Sequence, residues 1–170
     1  MSQELRELML WRHAKSDWSD EHLADHDRPL SERGRRNAKK MADWMQTQQL
    51  WPDLILCSSA KRAQQTLKRL CKGCDTQVET IEALYHAEVP SLLDQLAKVN
   101  SQAQRVMLIG HNPGLEDLIE HLQGERPSVK SDEVKLFPTA ALAQFIMPFD
   151  WSKLERGAGR LIQITRPRDI

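Results

Sequence analysis

Two histidines and two arginines follow directly on apolar runs in this chain. Arg12-His13 closes Leu8-Met9-Leu10-Trp11. Leu54-Ile55-Leu56-Cys57 leads through Ser58-Ser59-Ala60-Lys61 to Arg62, and Val106-Met107-Leu108-Ile109-Gly110 leads into His111. A guanidinium is a permanently charged fork whose donors match phosphate oxygens. An imidazole serves as nucleophile or proton carrier near neutral pH. If the three runs are parallel strands of one open sheet, their carboxyl ends share the edge where ligands bind. The four side chains then form a site that holds and attacks a phosphoryl group, a reaction catalysed mainly by positioning and charge stabilisation. Arg12 and Arg62 grip the oxygens, helped by the N-terminal turn of a helix beginning near Ala60. His13 attacks phosphorus and forms a phosphohistidine that water hydrolyses, while His111 donates to a nonbridging oxygen or shuttles protons. The attacking ring must be neutral, and two neighbouring guanidinium charges disfavour its protonation. Any one of the four alone reads as structural; their convergence carries the chemistry.

The surrounding pattern alternates strand and helix. Ser31 caps a helix whose apolar positions Ala38, Met41, Ala42 and Met45 recur with helical spacing. A second helix carries Ala60, Ala63, Leu67 and Leu70 on one face. Residues 77–81 read as a short strand and 90–99 as a helix. Asn112 is a favoured N-cap and Pro113 a favoured first residue for a helix burying Leu115, Leu118, Ile119 and Leu122. Residues 14–30 read as a polar stretch with a turn at Asp27-Arg28-Pro29, and 123–135 as a surface loop. Residues 141–147 and 161–165 read as closing strands, antiparallel at a sheet edge. Helices alternating with near-continuous apolar strands predict an α/β protein, a three-layer α/β/α sandwich on a mostly parallel sheet.

The 170 residues are expected to form a single domain, 1–170. Lys+Arg and Asp+Glu balance at 24 each, so no global field draws the chain to nucleic acid or membranes, and the anion site must be local. The basic residues also lack interleaved aromatics for base stacking, which argues against a nucleic-acid role. No run approaches transmembrane length and the first seven residues lack a signal-peptide core, so a cytoplasmic location is expected. Cys71-Lys72-Gly73-Cys74 has redox or metal spacing. With only Cys57 besides, the pair reads as the end of a helix with Gly73 just beyond it, neither a metal site nor a disulfide. Arg35, Arg36, Lys39 and Lys40 form a basic helix face that reads as solvated, with steering of an acidic phosphoprotein as the alternative. Trp18, in the loop after the motif, is placed to rim the pocket or to bind a partner, and Trp11, Trp44, Trp51 and Trp151 read as core or edge packing. His22, His26 and His121 have no metal-ligand spacing.

In order, these segments resemble the histidine phosphatase superfamily, with its phosphoglycerate-mutase-like fold, and within it the small SixA-type phosphohistidine phosphatases. The resemblance rests on Leu10-Trp11-Arg12-His13-Ala14-Lys15-Ser16, residues 28–34, residues 52–63 with Gln65-Thr66, Gly110-His111-Asn112-Pro113-Gly114-Leu115-Glu116, residues 137–143 and residues 166–169. It implies a phosphorylated nucleophile at His13, a phosphate pocket of Arg12, Arg62 and His111, and a metal-independent reaction with no cofactor. The superfamily's usual Arg-His-Gly is Arg-His-Ala here. Larger members place a general-acid Glu after the third strand, where this chain offers Leu84-Tyr85-His86-Ala87-Glu88. Glu88 is the candidate proton donor, with His86 and Asp17 behind it. A weak acid suits a leaving group needing little help. An alkoxide must be protonated, whereas an imidazole of reference pKa about 6.5 leaves neutral once its other nitrogen is protonated. The expected substrate is therefore a phosphohistidine on a signalling protein of the histidine-phosphotransfer type. Small phosphate monoesters or phosphoramidates are the alternative, and a non-catalytic phosphate-reading module the rival from another class.

Overall fold

The computed structural model describes residues 5–170; Met1 to Glu4, part of the N-terminal segment read above, lie outside the described residues. Six strands, β1 (Arg6–Arg12), β2 (Leu54–Ser58), β3 (Gln77–Ile81), β4 (Arg105–Gly110), β5 (Leu142–Met147) and β6 (Arg160–Thr165), form one sheet in the order β3-β2-β4-β1-β5-β6. The first four are mutually parallel; β5 joins β1, and β6 joins β5, antiparallel. Helices α1 (Glu32–Thr47) and α2 (Lys61–Leu70) cover one face, and α3 (Val89–Ala97) and α4 (Gly114–Gln123) the other.

The unbroken apolar runs have a direct cause: central parallel strands are buried on both sides. Leu8 and Leu10 of β1 enter the core under α3 and α4 with Leu54, Leu56, Val106 and Leu108. The alternate residues Met9 and Trp11 enter the core under α1 and α2 with Ile55, Cys57, Met107 and Ile109. Edge strand β3 is largely exposed, matching its polar sequence.

Local choices seat the helices against the strand ends. Ser31 caps α1, its hydroxyl accepting from Gly34 N at 3.0 Å. Gly34 lies so close to the loop after β1 that any Cβ would overlap the Lys15 carbonyl oxygen. The expected cap at Asn112 does not form. Its amide instead donates to Phe137 O at 2.9 Å and to Glu116 Oε2 at 3.1 Å, and α4 starts at Gly114 with no side-chain cap. Residues 14–30 contain order the sequence reading missed, a one-turn helix over Asp25–Asp27 and a bridge between Ser16 and Leu30. The Cys71–Cys74 reading is corrected too: the two sulfurs form a disulfide. The turn at Gly73, with φ of 71°, brings the cysteines together just after α2. Cys57 is buried as expected, and burial pushes its thiol up to about 12.

Candidate active site

The parallel register aligns the strand ends. Arg12 pairs with Gly110 and Cys57 with Ile109, so the residues that follow emerge along one edge. The His13 and His111 rings lie 5.0 Å apart, centre to centre. Arg12, His13 and Arg62 line one cleft of about 690 Å³.

His13 is fixed as a base. Its Nδ1 lies 2.7 Å from Ala14 O. A carbonyl only accepts, so Nδ1 carries the hydrogen and Nε2 keeps its lone pair. Burial, reinforced by the Arg62 and Arg12 charges and opposed by the Ala14 carbonyl, lowers its pKa to about 3. The sequence reading credited the guanidiniums; desolvation is the larger cause. The backbone here is clamped from both sides. Ala140 N donates to Arg12 O and His13 O, and Ala14 N donates to Thr66 Oγ1, which in turn donates to Arg62 O. Thr66 thereby ties the end of β1 to the first turn of α2.

Arg62 reaches the cleft from that turn. Its Nη1 donates to Asp25 O at 2.7 Å and its Nη2 to Asp25 Oδ2 at 3.0 Å, leaving further N–H donors for other acceptors. Arg12 donates through Nη1 to Phe137 O at 3.0 Å. Burial lowers its pKa; Glu116 opposes this and Arg62 adds to it. Ser58 Oγ lies 2.7 Å from His111 Nε2, while His111 Nδ1 is buried without a protein partner. Burial, with the neighbouring His13 and Arg62, lowers the His111 pKa to about 2. His111 packs against the His13 and Tyr85 rings and is not part of the open cleft wall.

Asp25 is the site residue the sequence reading missed. Its Oδ2 accepts from Arg62, from the Tyr85 hydroxyl, and from His86 Nε2 at 3.1 Å. Burial favours its neutral form, yet the hydrogen bonds from Tyr85 and Arg62 prevail and bring its pKa down to about 2. The loop that delivers it is organised by Arg28. That buried guanidinium donates to Asp20 O and Leu23 O and lies under the Trp18 ring at 4.1 Å. His26 pins the loop to Ser59 at 2.9 Å. The Arg28-Pro29 pair was visible as a turn, but nothing distinguished Asp25 from Asp20, Glu21 or Asp27 beside it.

The acid candidates separate clearly. Glu88 does not join the site: it is exposed at the start of α3, its side chain makes no hydrogen bond, and it is absent from the cleft wall. Its displacement follows from the short loop, which turns the chain into α3 at Glu88. Asp17 is also off the wall, its carboxylate taken by Ser19 N at 2.8 Å. His86 does line the cleft, with φ of 51°, a left-handed conformation uncommon outside glycine. Trp18 lines it too, as expected. The basic face of α1 is occupied by its own neighbours. Arg36 pairs with Glu32, Lys39 pairs with Asp43, Arg35 donates to Leu30 O and Lys40 to Pro167 O. Trp11 and Trp151 are buried, whereas Trp51 is 47% exposed. Among the described residues no group of three or more His, Cys, Asp or Glu is arranged to hold a metal ion, and no helix is long and apolar enough to cross a membrane.

Residues 8–89 match the histidine phosphatase superfamily (branch 1). An uncharacterised protein of Mycobacterium tuberculosis is 32% identical over 160 residues, spanning 92% of this chain and 99% of that one. The chain belongs to the histidine phosphatase superfamily. Two solved structures, both bearing the provisional name phosphohistidine phosphatase SixA, place it in the SixA-type group. The one from Agrobacterium tumefaciens is 31% identical with a TM-score of 0.80, covering 95% of this chain and 98% of that one. The one from Nakamurella multipartitia is 29% identical with a TM-score of 0.81, covering 96% of both. For a histidine phosphatase superfamily fold, the three parallel strand ends and the antiparallel β5 and β6 have a clear use. The former bring Arg12, His13 and His111 to one edge beside Arg62, and the latter close the sheet behind Ala140.

Proposed function

We propose that this chain is a phosphohistidine phosphatase whose nucleophile is His13 Nε2. One observation carries the reading: His13 is a neutral imidazole whose Nδ1–H is committed to Ala14 O, beside Arg12 and Arg62 at the floor of the cleft. The free lone pair is thereby the attacking one. Nε2 bonds to phosphorus as the bond from phosphorus to the substrate's imidazole nitrogen breaks, and that nitrogen keeps the electron pair. Water then attacks the phosphorylated His13, releasing inorganic phosphate and restoring the ring. Arg12 and the remaining donors of Arg62 hold the oxygens. His111 Nδ1 is the further donor beside the ring. Asp25 acts through others, aiming Arg62, Tyr85 and His86. The names borne by the SixA-type structures support the same substrate class.

Hydrolysis of small phosphate monoesters is the second reading. It gains from His86 on the cleft wall: the Asp25 carboxylate holds its Nε2, so the proton an alkoxide needs would come from Nδ1. Parallel kinetics on a phosphohistidine peptide, phosphoramidate and a small ester separate the two. A higher kcat/KM for the ester overturns the first. Brief exposure to substrate, acid-free quenching and mass spectrometry should find phosphate on His13. Wild-type-like turnover by His13→Ala overturns the nucleophile assignment.

A further inference from the structure

Four cations with no protein partner stand around the mouth of the cleft. Lys15, Arg33, Lys135 and Arg168 all line it, all are exposed, and none of their side chains hydrogen-bonds or ion-pairs with another described residue. Three contacts gather their four segments. Lys15 O accepts from Ser31 N at 2.9 Å and Ser31 Oγ at 3.2 Å, and Gly34 packs on the same carbonyl, so Lys15 and Arg33 flank one junction. Lys40 of α1 donates to Pro167 O at 2.8 Å, seating the one-turn helix Pro167–Asp169, with Arg168, against α1. Arg166, just before it, donates to Lys135 O at 3.0 Å and Leu136 O at 2.9 Å, drawing Lys135 to the same wall. The contrast along α1 is plain: Arg35, Arg36, Lys39 and Lys40, for which steering was the alternative reading, are engaged by their own neighbours, and Arg33, on the cleft, is not.

On a chain of zero net charge, seven Lys and Arg line this cleft against two carboxylates, and Asp25 is already engaged by Arg62. A single phosphoryl group is served by Arg12 and Arg62 at the floor. The outer four exceed what it needs. We infer that they form a second anion subsite that reads carboxylates flanking the phosphohistidine, so that the substrate is an acidic segment of a protein. This deepens the phosphohistidine reading above and rests on it. A second phosphate on a small molecule would be gripped by convergent, partly buried forks, as at Arg12 and Arg62. Exposed cations spread over separate segments suit several single carboxylates on a surface, and they also steer its approach. Trp18, its ring over Arg28 and 62% exposed on the same wall, gives such a segment an apolar surface to lie on. Glu133, an unpaired carboxylate, bounds the basic wall on the side of the loop carrying Lys135.

The test uses the full chain and two synthetic phosphohistidine peptides of equal length, one flanked by Asp and Glu and the other by Asn and Gln. A pair of small phosphoesters, with and without a second phosphate, forms the third arm. Exposed ion pairs each change an equilibrium by about threefold, so losing two predicts about tenfold. Wild type, with four such cations, should therefore favour the acidic peptide by up to about eightyfold in kcat/KM, with the preference shrinking as salt is raised. Arg33→Gln/Arg168→Gln should cut that ratio about tenfold while the protein still unfolds cooperatively. A wild-type ratio of one, a ratio retained in the double variant, or a preference confined to the bis-phosphate ester overturns the subsite. Failure of wild type to hydrolyse either peptide overturns the phosphohistidine reading instead.

Discussion

Burial of two neutral imidazoles should make this protein unusually sensitive to mild acid. Folded His13 and His111 take up protons only near pH 3 and pH 2, while an unfolded histidine does so near pH 6.5. Below pH 6.5 the unfolded chain binds more protons than the native one, so stability falls as pH falls. Each imidazole contributes a slope of about 1.4 kcal/mol per pH unit once its unfolded form is fully charged. Integrated from pH 7 to pH 5, the two remove about 4 kcal/mol, a large share of a typical total of about 5–15 kcal/mol. Asp25 does not blur this window. Its depressed pKa gives stability that is present above about pH 4 and lost as pH falls toward about 2. Urea unfolding followed by tryptophan fluorescence at pH 7, 6 and 5, at constant ionic strength, measures the loss. Phosphate buffer must be avoided, because an oxyanion that binds only the native state stabilises it. His111→Gln should about halve the slope whatever it does to absolute stability. A loss below about 1.5 kcal/mol between pH 7 and pH 5 would mean that at least one ring is not held neutral, and would refute the burial argument for the nucleophile.

Asp25→Asn should lower kcat/KM about a hundredfold by misaiming Arg62, as expected for a displacement of about 1 Å. It should cost only about 1–2 kcal/mol in urea, since the carboxylate is 35% exposed and partly screened; an unchanged kcat/KM would remove its positioning role. His86→Gln should slow hydrolysis of a small phosphate ester at least about a hundredfold, the low end for a general acid, and slow that of phosphohistidine much less. Glu88→Gln, off the cleft wall, should stay within about twofold on both substrates, well short of a general acid's contribution.

The strands and helices were legible because their cause is local: both-face burial writes continuous apolar runs, and helix faces write a period near 3.6. The meeting of Arg12, His13, Arg62 and His111 followed from topology alone, since parallel strands must end at one edge. Asp25 was not legible. Its role depends on Arg28 folding the 18–28 loop back under Trp18, a long-range hydrogen-bonding event that leaves no periodic trace. The basic mouth was equally hidden, because Arg33, Lys135 and Arg168 lie far apart in sequence and only the contacts of Lys40 and Arg166 bring their segments together. Asn112 misled because a residue favoured at caps is equally suited to any pair of nearby acceptors. The cysteine pair misled because a helix-ending turn and a disulfide use the same spacing.

One physical choice links chemistry to stability here. The nucleophile proposed at His13 must be kept neutral beside two guanidiniums, and removing it from water achieves this more effectively than charge repulsion alone. The same desolvation leaves His111 Nδ1 buried without a protein partner and Arg12 with a donor in the same condition. Such groups cost free energy while unpaired, and the phosphoryl group proposed to bind here would give them partners, so oxyanion binding should stabilise the fold well beyond what an exposed cation pair would give. A substitution that removes the acid lability by replacing either imidazole therefore removes part of the phosphate site as well. Acid tolerance and activity should trade against each other at His13 and His111, while changes at Glu88 or on the paired face of α1 leave both untouched.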